Sequence, residues 1–269
     1  MNQILFNAFP GGANRVVTFS YDDGVVQDRR FVEILNTNGL KGTFHLNAGL
    51  LGRKPRHIEA EEVASLYQGH EVSAHSFSHP FLDHIPQAAT VQQILEDRKL
   101  LESLAGYPVR GMSYPYGTTS DQVVETLAPL GIEYSRTTAA TRNFDLPEHP
   151  LRWDPTCHHK HGVSELGKAF NERGDRYGNR LHLFYIWGHT YEFDTDDNWG
   201  MIEDFCAEIA GNPRTWYATN IEILDYLAAL RQLRFSVDCS VVYNPSALPA
   251  WLTANGKLVE VAAGQTMPV

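Results

Sequence analysis

Short apolar, β-branched runs, each followed by a segment of helical period, recur along most of this 269-residue chain. That alternation is the strongest constraint on its fold. Residues 16–21, 42–46, 70–75, 110–114, 132–136, 181–187 and 214–218 read as strands. The intervening stretches read as helices: 25–38 carries Phe31, Ile34 and Leu35 on one face, and 198–210 carries Ile202, Phe205 and Ile209. A strand that returns through a helix pairs in parallel with its predecessor. About seven such units favour an α/β fold closed into a parallel barrel.

Local signals refine the outline. Thr90 reads as the opening of a capping box for a helix over 90–105, and 235–243 reads as one strand containing Cys239. Residues 137–161, rich in Pro and His, read as a long functional loop with a short strand at 151–153. Residues 1–243 are expected to form the barrel, and 244–269 a short β appendage packed on it.

The charge balance narrows the partners. A net charge of −10 and a pI near 5.6 leave no basic stripe for a nucleic-acid backbone or an anionic membrane surface. The first residues lack a basic, then apolar leader, and no run approaches membrane-spanning length. The chain as it stands is read as soluble and cytoplasmic, although an exported mature form would look the same. Cys157, Cys206 and Cys239 are too few and too scattered for a disulfide framework or a thiolate zinc site, and the last two are expected in the core. Cys157-His158-His159-Lys160-His161 reads as a solvated His-rich loop in preference to a ligand set.

Four predicted strand ends carry chemistry. The first delivers Asp22 and Asp23, then Gly24. Two adjacent carboxylates repel, so the pair suits a site where a cation sits beside one or where one is kept for proton transfer; the competing reading is a polar turn. The third delivers His75 and His79, four residues apart, on one side of a helical turn where they can share an ion. The fourth gives Ser113-Tyr114-Pro115-Tyr116-Gly117, a rigid turn able to aim backbone N–H groups, and a later strand ends on His189.

In this order the blocks resemble the polysaccharide deacetylase family, the NodB-homology carbohydrate esterases. Ser20-Tyr21-Asp22-Asp23-Gly24 is similar to the family's Thr-Phe-Asp-Asp-Gly block, and the stretch from Gly69 to His79 matches its histidine motif. The resemblance implies a distorted (β/α) barrel of about seven parallel strands. It implies one divalent ion, zinc first with cobalt or nickel as alternatives, held by Asp23, His75 and His79. It also implies Asp22 as base, the Tyr116 backbone N–H in an oxyanion hole, and His189 as general acid. The expected reaction is hydrolysis of an acetyl amide or ester on a carbohydrate by a metal-activated water.

One position departs from the family pattern. Ser113 stands where the third block usually carries an arginine that orients the base, and Arg110, three residues earlier, has the opposite strand parity. Another group is expected to take that place. Arg152-Trp153-Asp154 supplies a candidate acetyl-pocket wall, Trp153, and a carboxylate for His189, for which Glu192 and Asp194 serve equally; Tyr191 and Trp153 are the expected sugar contacts, with Trp199 a further aromatic. Two other readings are weighed: an inactive metal-containing carbohydrate-binding protein, and a two-His, one-carboxylate iron oxygenase, which would leave Asp22 without a purpose.

Overall fold

The computed structural model describes residues 2–269. In chain order the strands are β1 (Ile4–Leu5), β2 (Arg15–Asp23), β3 (Gly42–Leu46), β4 (Glu71–Ala74), β5 (Gly111–Ser113), β6 (Tyr134–Arg136), β7 (Cys157–His158), β8 (His182–His189), β9 (Thr215–Tyr217), β10 (Arg234–Phe235), β11 (Val241–Tyr243), β12 (Ala250–Ala254), β13 (Lys257–Val261) and β14 (Thr266–Pro268). The helices are α1 (Asp28–Thr37), α2 (Val63–Leu66), α3 (Gln87–Ala105), α4 (Asp121–Leu127), α5 (Val163–Arg176), α6 (Tyr191–Thr195), α7 (Trp199–Ile209) and α8 (Asn220–Gln232).

Strand β2 is the spine, because all nine of its residues are buried. It lies inside a sheet ordered β6-β5-β4-β3-β2-β8-β7, with β9 against its first residues, and every pairing in that sheet is parallel. Alternate residues of β2 serve different surroundings. Phe19 and Tyr21 pack against Phe31 of α1, at ring separations of 6.1 and 4.2 Å. Thr18, Ser20 and Asp22 alternate with them and are matched by polar partners: Thr18 donates to Asn220 (2.9 Å), and Ser20 pairs with His45 (2.8 Å). A polar column of this kind is tolerated because its members are hydrogen-bonded.

The sheet curls into a distorted barrel, as the family resemblance implies. One segment reaches both of its edges: Trp153 bridges Arg136 of β6 in parallel, and Cys157 and His158 pair with Ile186 and Trp187 of β8. The strand expected at 151–153 is therefore a single bridge preceded by a 3₁₀ turn, Pro150–Arg152, whose proline lacks the N–H a ladder needs.

Other local expectations shift for identifiable reasons. Helix α3 starts at Gln87 behind Pro86, and Thr90 lies inside it with its hydroxyl on the Leu82 carbonyl (3.1 Å), so there is no capping box at Thr90. The run 235–243 is a hairpin, because Ser236 and Ser240 both donate to Asp238 (2.7 Å each) and bend the chain. Cys239 sits in that turn, partly exposed at φ 56°, whereas Cys206 is buried in α7 as expected.

Two small antiparallel sheets, β1-β12-β13 and β10-β11-β14, complete the molecule. Both combine strands from 244–269 with earlier ones. Ala250, Leu252 and Val261 of the first share a second apolar cluster with Tyr226 and Leu227 of α8.

Candidate active site

Register brings the polar strand ends together. Asp22 of β2 lies opposite His45 of β3 and His189 of β8, and Ser113 of β5 lies opposite Arg136 of β6. The C-terminal ends of these strands, with the loops that follow, line a cavity of about 450 Å³ containing Asp22, Asp23, Arg56, His75, His79, Tyr116, Trp187, His189 and Tyr191. That is the size of a small-molecule cleft. Asp23, Ser76, His79 and Tyr116 all have positive φ, between 59° and 82°. Backbone held there costs about 1–3 kcal/mol per residue, and its concentration around one cavity marks a site whose geometry outweighs local preference.

Asp23, His75 and His79 present one ligand atom each within 4.8 Å of one another, a spacing that can hold a metal ion. The expected helical turn is absent. His75 and His79 are joined by irregular chain, and the left-handed residues Ser76 and His79 turn the second imidazole back onto the first.

The donor set can be tested by its protons. His75 Nδ1 is 2.9 Å from the Ser113 carbonyl, an acceptor only, so in the neutral ring Nδ1 carries the proton and Nε2 keeps the lone pair. That Nε2 lies 3.1 Å from His79 Nε2, and both lie 3.7 Å from Asp23 Oδ1. Burial, then the neighbouring His75, pull the His79 pKa down to about 4, so His79 is neutral near neutrality. Two imidazoles facing each other beside a carboxylate fit a shared cation.

Behind the ligands stands a buried carboxylate that the sequence reading did not single out. Asp97 of α3 accepts N–H groups from His75 (2.9 Å) and Ala48 (2.7 Å), and burial pushes its pKa up to about 8. It fixes the backbone that aims His75.

Asp22 stands outside the ligand triad. The arginine missing at Ser113 is supplied by Arg136, one strand over: its Nη2 donates to Asp22 Oδ2, its Nε to Ser20 (3.1 Å), and its guanidinium lies 4.4 Å above the Trp187 ring. Ser113 donates to Asp22 Oδ1 (3.0 Å) and its Oγ is 2.7 Å from His75 Nδ1, so one hydroxyl touches both Asp22 and His75. Burial alone would raise the Asp22 pKa, but Arg136, then His75, His45 and His189, hold it well below the usual carboxylate range. Arg110 faces away and pairs with Asp225 (2.6 Å) and Glu133 (3.1 Å).

His189 closes the cavity opposite, with Nε2 4.0 Å from Asp22 Oδ2 and Nδ1 3.6 Å from Glu192 Oε2. Burial pulls its pKa down, but Glu192, Asp22 and Asp23 outweigh this and leave it raised. Of the three carboxylates considered for His189, Glu192 is the one beside it. Asp154 accepts from Thr137, and Asp194 from Trp199 (2.7 Å) and Gln27 (2.7 Å).

The Cys157–His161 stretch is solvated only at Lys160 and His161. Pairing with β8 buries Cys157 and His158, and His159 is buried after them. His158, His189 and Glu192 are close enough to hold an ion. However, the Lys160 N–H donates to His158 Nδ1 (3.2 Å), which leaves the His158 proton on Nε2, aimed at Glu192 Oε2 at 3.0 Å. Lys160 Nζ lies 3.1 Å from the other Glu192 oxygen. The group reads as a donor network that keeps Glu192 ionised, since its bonds with His158 and His189 overcome its burial.

Of the expected sugar contacts, Tyr191 lines the cavity and Trp153 does not. Trp153 is buried between Tyr134 (5.6 Å) and Tyr185 (5.2 Å), and the indole in the cavity wall is Trp187. Trp199 packs under Phe193 and Arg30.

Residues 11–135 match the family model described as polysaccharide deacetylase. Over 124 residues the chain is 28% identical to a peptidoglycan-N-acetylglucosamine deacetylase of Listeria monocytogenes, covering 45% of this chain and 26% of that one. The chain thus spans about a quarter of that relative's length. Among solved structures, a Mycobacterium smegmatis protein assigned to the polysaccharide deacetylases superposes with a TM-score of 0.63 at 16% identity, covering 83% of this chain and 93% of that one. A chitin deacetylase of Colletotrichum lindemuthianum gives 0.53 at 18% identity, covering 77% and 86%.

Proposed function

We propose that this chain, which belongs to the polysaccharide deacetylase family through residues 11–135, is a metal-dependent hydrolase that removes acetyl groups from a carbohydrate. The observation that carries the reading is the pairing of an ion-ready triad, Asp23, His75 and His79, with a separate ionised carboxylate, Asp22, in the same cavity. A divalent ion held there, zinc first among the candidates, would polarise the acetyl carbonyl and lower the pKa of a water.

The chain's own groups account for the remaining chemistry. Asp22, kept ionised by Arg136, takes the proton of the attacking water. Ser113 holds Asp22 in place, and the Tyr116 backbone N–H is assigned to the developing oxyanion. His189, with a raised pKa, delivers a proton to the departing amine or alkoxide, and Glu192 stabilises its charged form. An amine leaving group needs that proton more than an alkoxide, so the arrangement serves N-acetyl and O-acetyl groups alike.

The test is acetate release from acetylated amino sugars and sugar esters after loading with zinc, cobalt or nickel. Bound metal with no acetate from any amide or ester would refute the reading. The inactive carbohydrate-binding alternative rested on the arginine missing at position 113, and Arg136 at Asp22 removes that motive.

A further inference from the structure

The cavity contains one charged side chain that the proposed chemistry does not use. Arg56 lines it with 58% of its side chain exposed. Its backbone is fixed against the chain just beyond the two aspartates: the Val26 N–H donates to its carbonyl (2.9 Å), His57 bridges Val25, and the Ile58 N–H donates to Gly24 (3.1 Å). The guanidinium gives Nη2 to Asp23 Oδ2 (3.1 Å) and lies 5.1 Å from the Tyr191 ring centre. Asp23 Oδ1 is the oxygen nearer the two imidazoles, so the arginine and an ion would use different oxygens.

An arginine carries five N–H donors in a planar fork suited to a carboxylate, and one contact to Asp23 leaves several of them unspent. The charge count agrees. Among the groups lining the cavity, Asp22 is paired with Arg136 and Asp23 with Arg56, so the two aspartates carry no unpaired negative charge that would repel an anion. The chain as a whole is at −10. An acidic protein does not draw in an anionic sugar from a distance, so a substrate carboxylate gains from the Arg56 guanidinium only once it is seated.

We infer that Arg56 recognises a carboxylate on the substrate, and that the preferred substrate is an acetylated sugar bearing that carboxylate within about one ring of the acetyl group. This rests on the deacetylase reading of the same cavity. The carboxylate can come from an ether-linked acid or from an oxidised ring carbon, and the assay separates the two.

N-acetylglucosamine, N-acetylmuramic acid and N-acetylglucosaminuronic acid are compared on the full chain. Affinity is measured calorimetrically on metal-free and metal-loaded protein, and acetate release on the loaded protein. One acidic sugar is expected to bind at least about tenfold tighter than the neutral one, with the advantage shrinking as salt rises. Arg56→Met should bring the acidic-to-neutral ratio near one, and Arg56→Lys should retain part of it. A wild-type ratio near one overturns the inference, as does a ratio that survives Arg56→Met or a variant that weakens all three sugars equally. Tighter acidic binding without acetate release supports the Arg56 site and refutes the deacetylase reading; acetate release without discrimination does the reverse.

Discussion

Replacing Arg136 by Met removes the cation that keeps Asp22 ionised while leaving Ser113 in place. Both partners are buried, Arg136 at 0% and Asp22 at 4% side-chain exposure, so solvent cannot replace the lost charge. Breaking a buried pair costs about 3–5 kcal/mol. At about 1.4 kcal/mol per pH unit, this is a rise of about 2–4 units in the Asp22 pKa. In the wild type the folded pKa lies below the unfolded value, so Asp22 contributes stability above about pH 4 that is lost as pH falls through the folded value. In Arg136→Met the folded pKa moves up toward the unfolded value, so the linked contribution of Asp22 shrinks and the variant loses less stability as pH falls. Two measurements follow: the pH profile of kcat/KM for acetate release, and denaturant unfolding at acidic and mildly alkaline pH. The acidic limb should move up by about 2–4 units, and the stability deficit should narrow in acid. Arg136→Lys, which keeps the charge, should move the limb much less. An unmoved limb in folded Arg136→Met, or an equal deficit at both pH values, would refute the assignment.

The other predictions concern the same cavity. Asp22→Asn should keep metal stoichiometry by equilibrium dialysis while losing turnover, whereas His79→Ala should lose the stoichiometry itself. Ser113→Ala removes a hydroxyl that touches His75 and Asp22, so metal affinity should fall by about 10–100-fold together with kcat. Glu192→Gln should lower the basic limb of the pH profile by about 1–2 units, because the carboxylate helps hold the His189 pKa above its ordinary value. The linked stability of His189 is complete below about pH 6.5 and lost as pH rises through the folded pKa, and the variant should flatten that dependence.

The barrel and the clustering of Asp23, His75 and His79 were readable because their signals lie within single segments. The apolar run into Asp22 and Asp23 and the block ending at His79 need no knowledge of neighbouring strands. Arg136 could not be assigned the same way: its role depends on lying opposite Ser113 in the β5–β6 register, a relation between strands separated by a helix. An arginine ending an apolar strand was the available signal. The His-rich stretch misled for the converse reason, since its polar composition hides a pairing with β8 that buries it. Trp153 was the right residue type in the wrong layer; the bridge to Arg136 turns it into the core, and Trp187 takes the cavity wall.

The placement of the arginine on β6, where the resemblance led one to expect it on β5, also constrains how this sequence can change. An arginine at position 113 alone, Ser113→Arg, would put two guanidiniums on one carboxylate where position 113 is fully buried, and would delete the hydroxyl on which His75 leans. Removing Arg136 alone strands Asp22. Each single step is therefore expected to be harmful, while the double exchange Ser113→Arg with Arg136→Ser restores one cation to one anion. The two arrangements face each other across a fitness valley, so exchanging segments between this barrel and one that carries the arginine on β5 should succeed when β5 and β6 travel together and fail when they are parted.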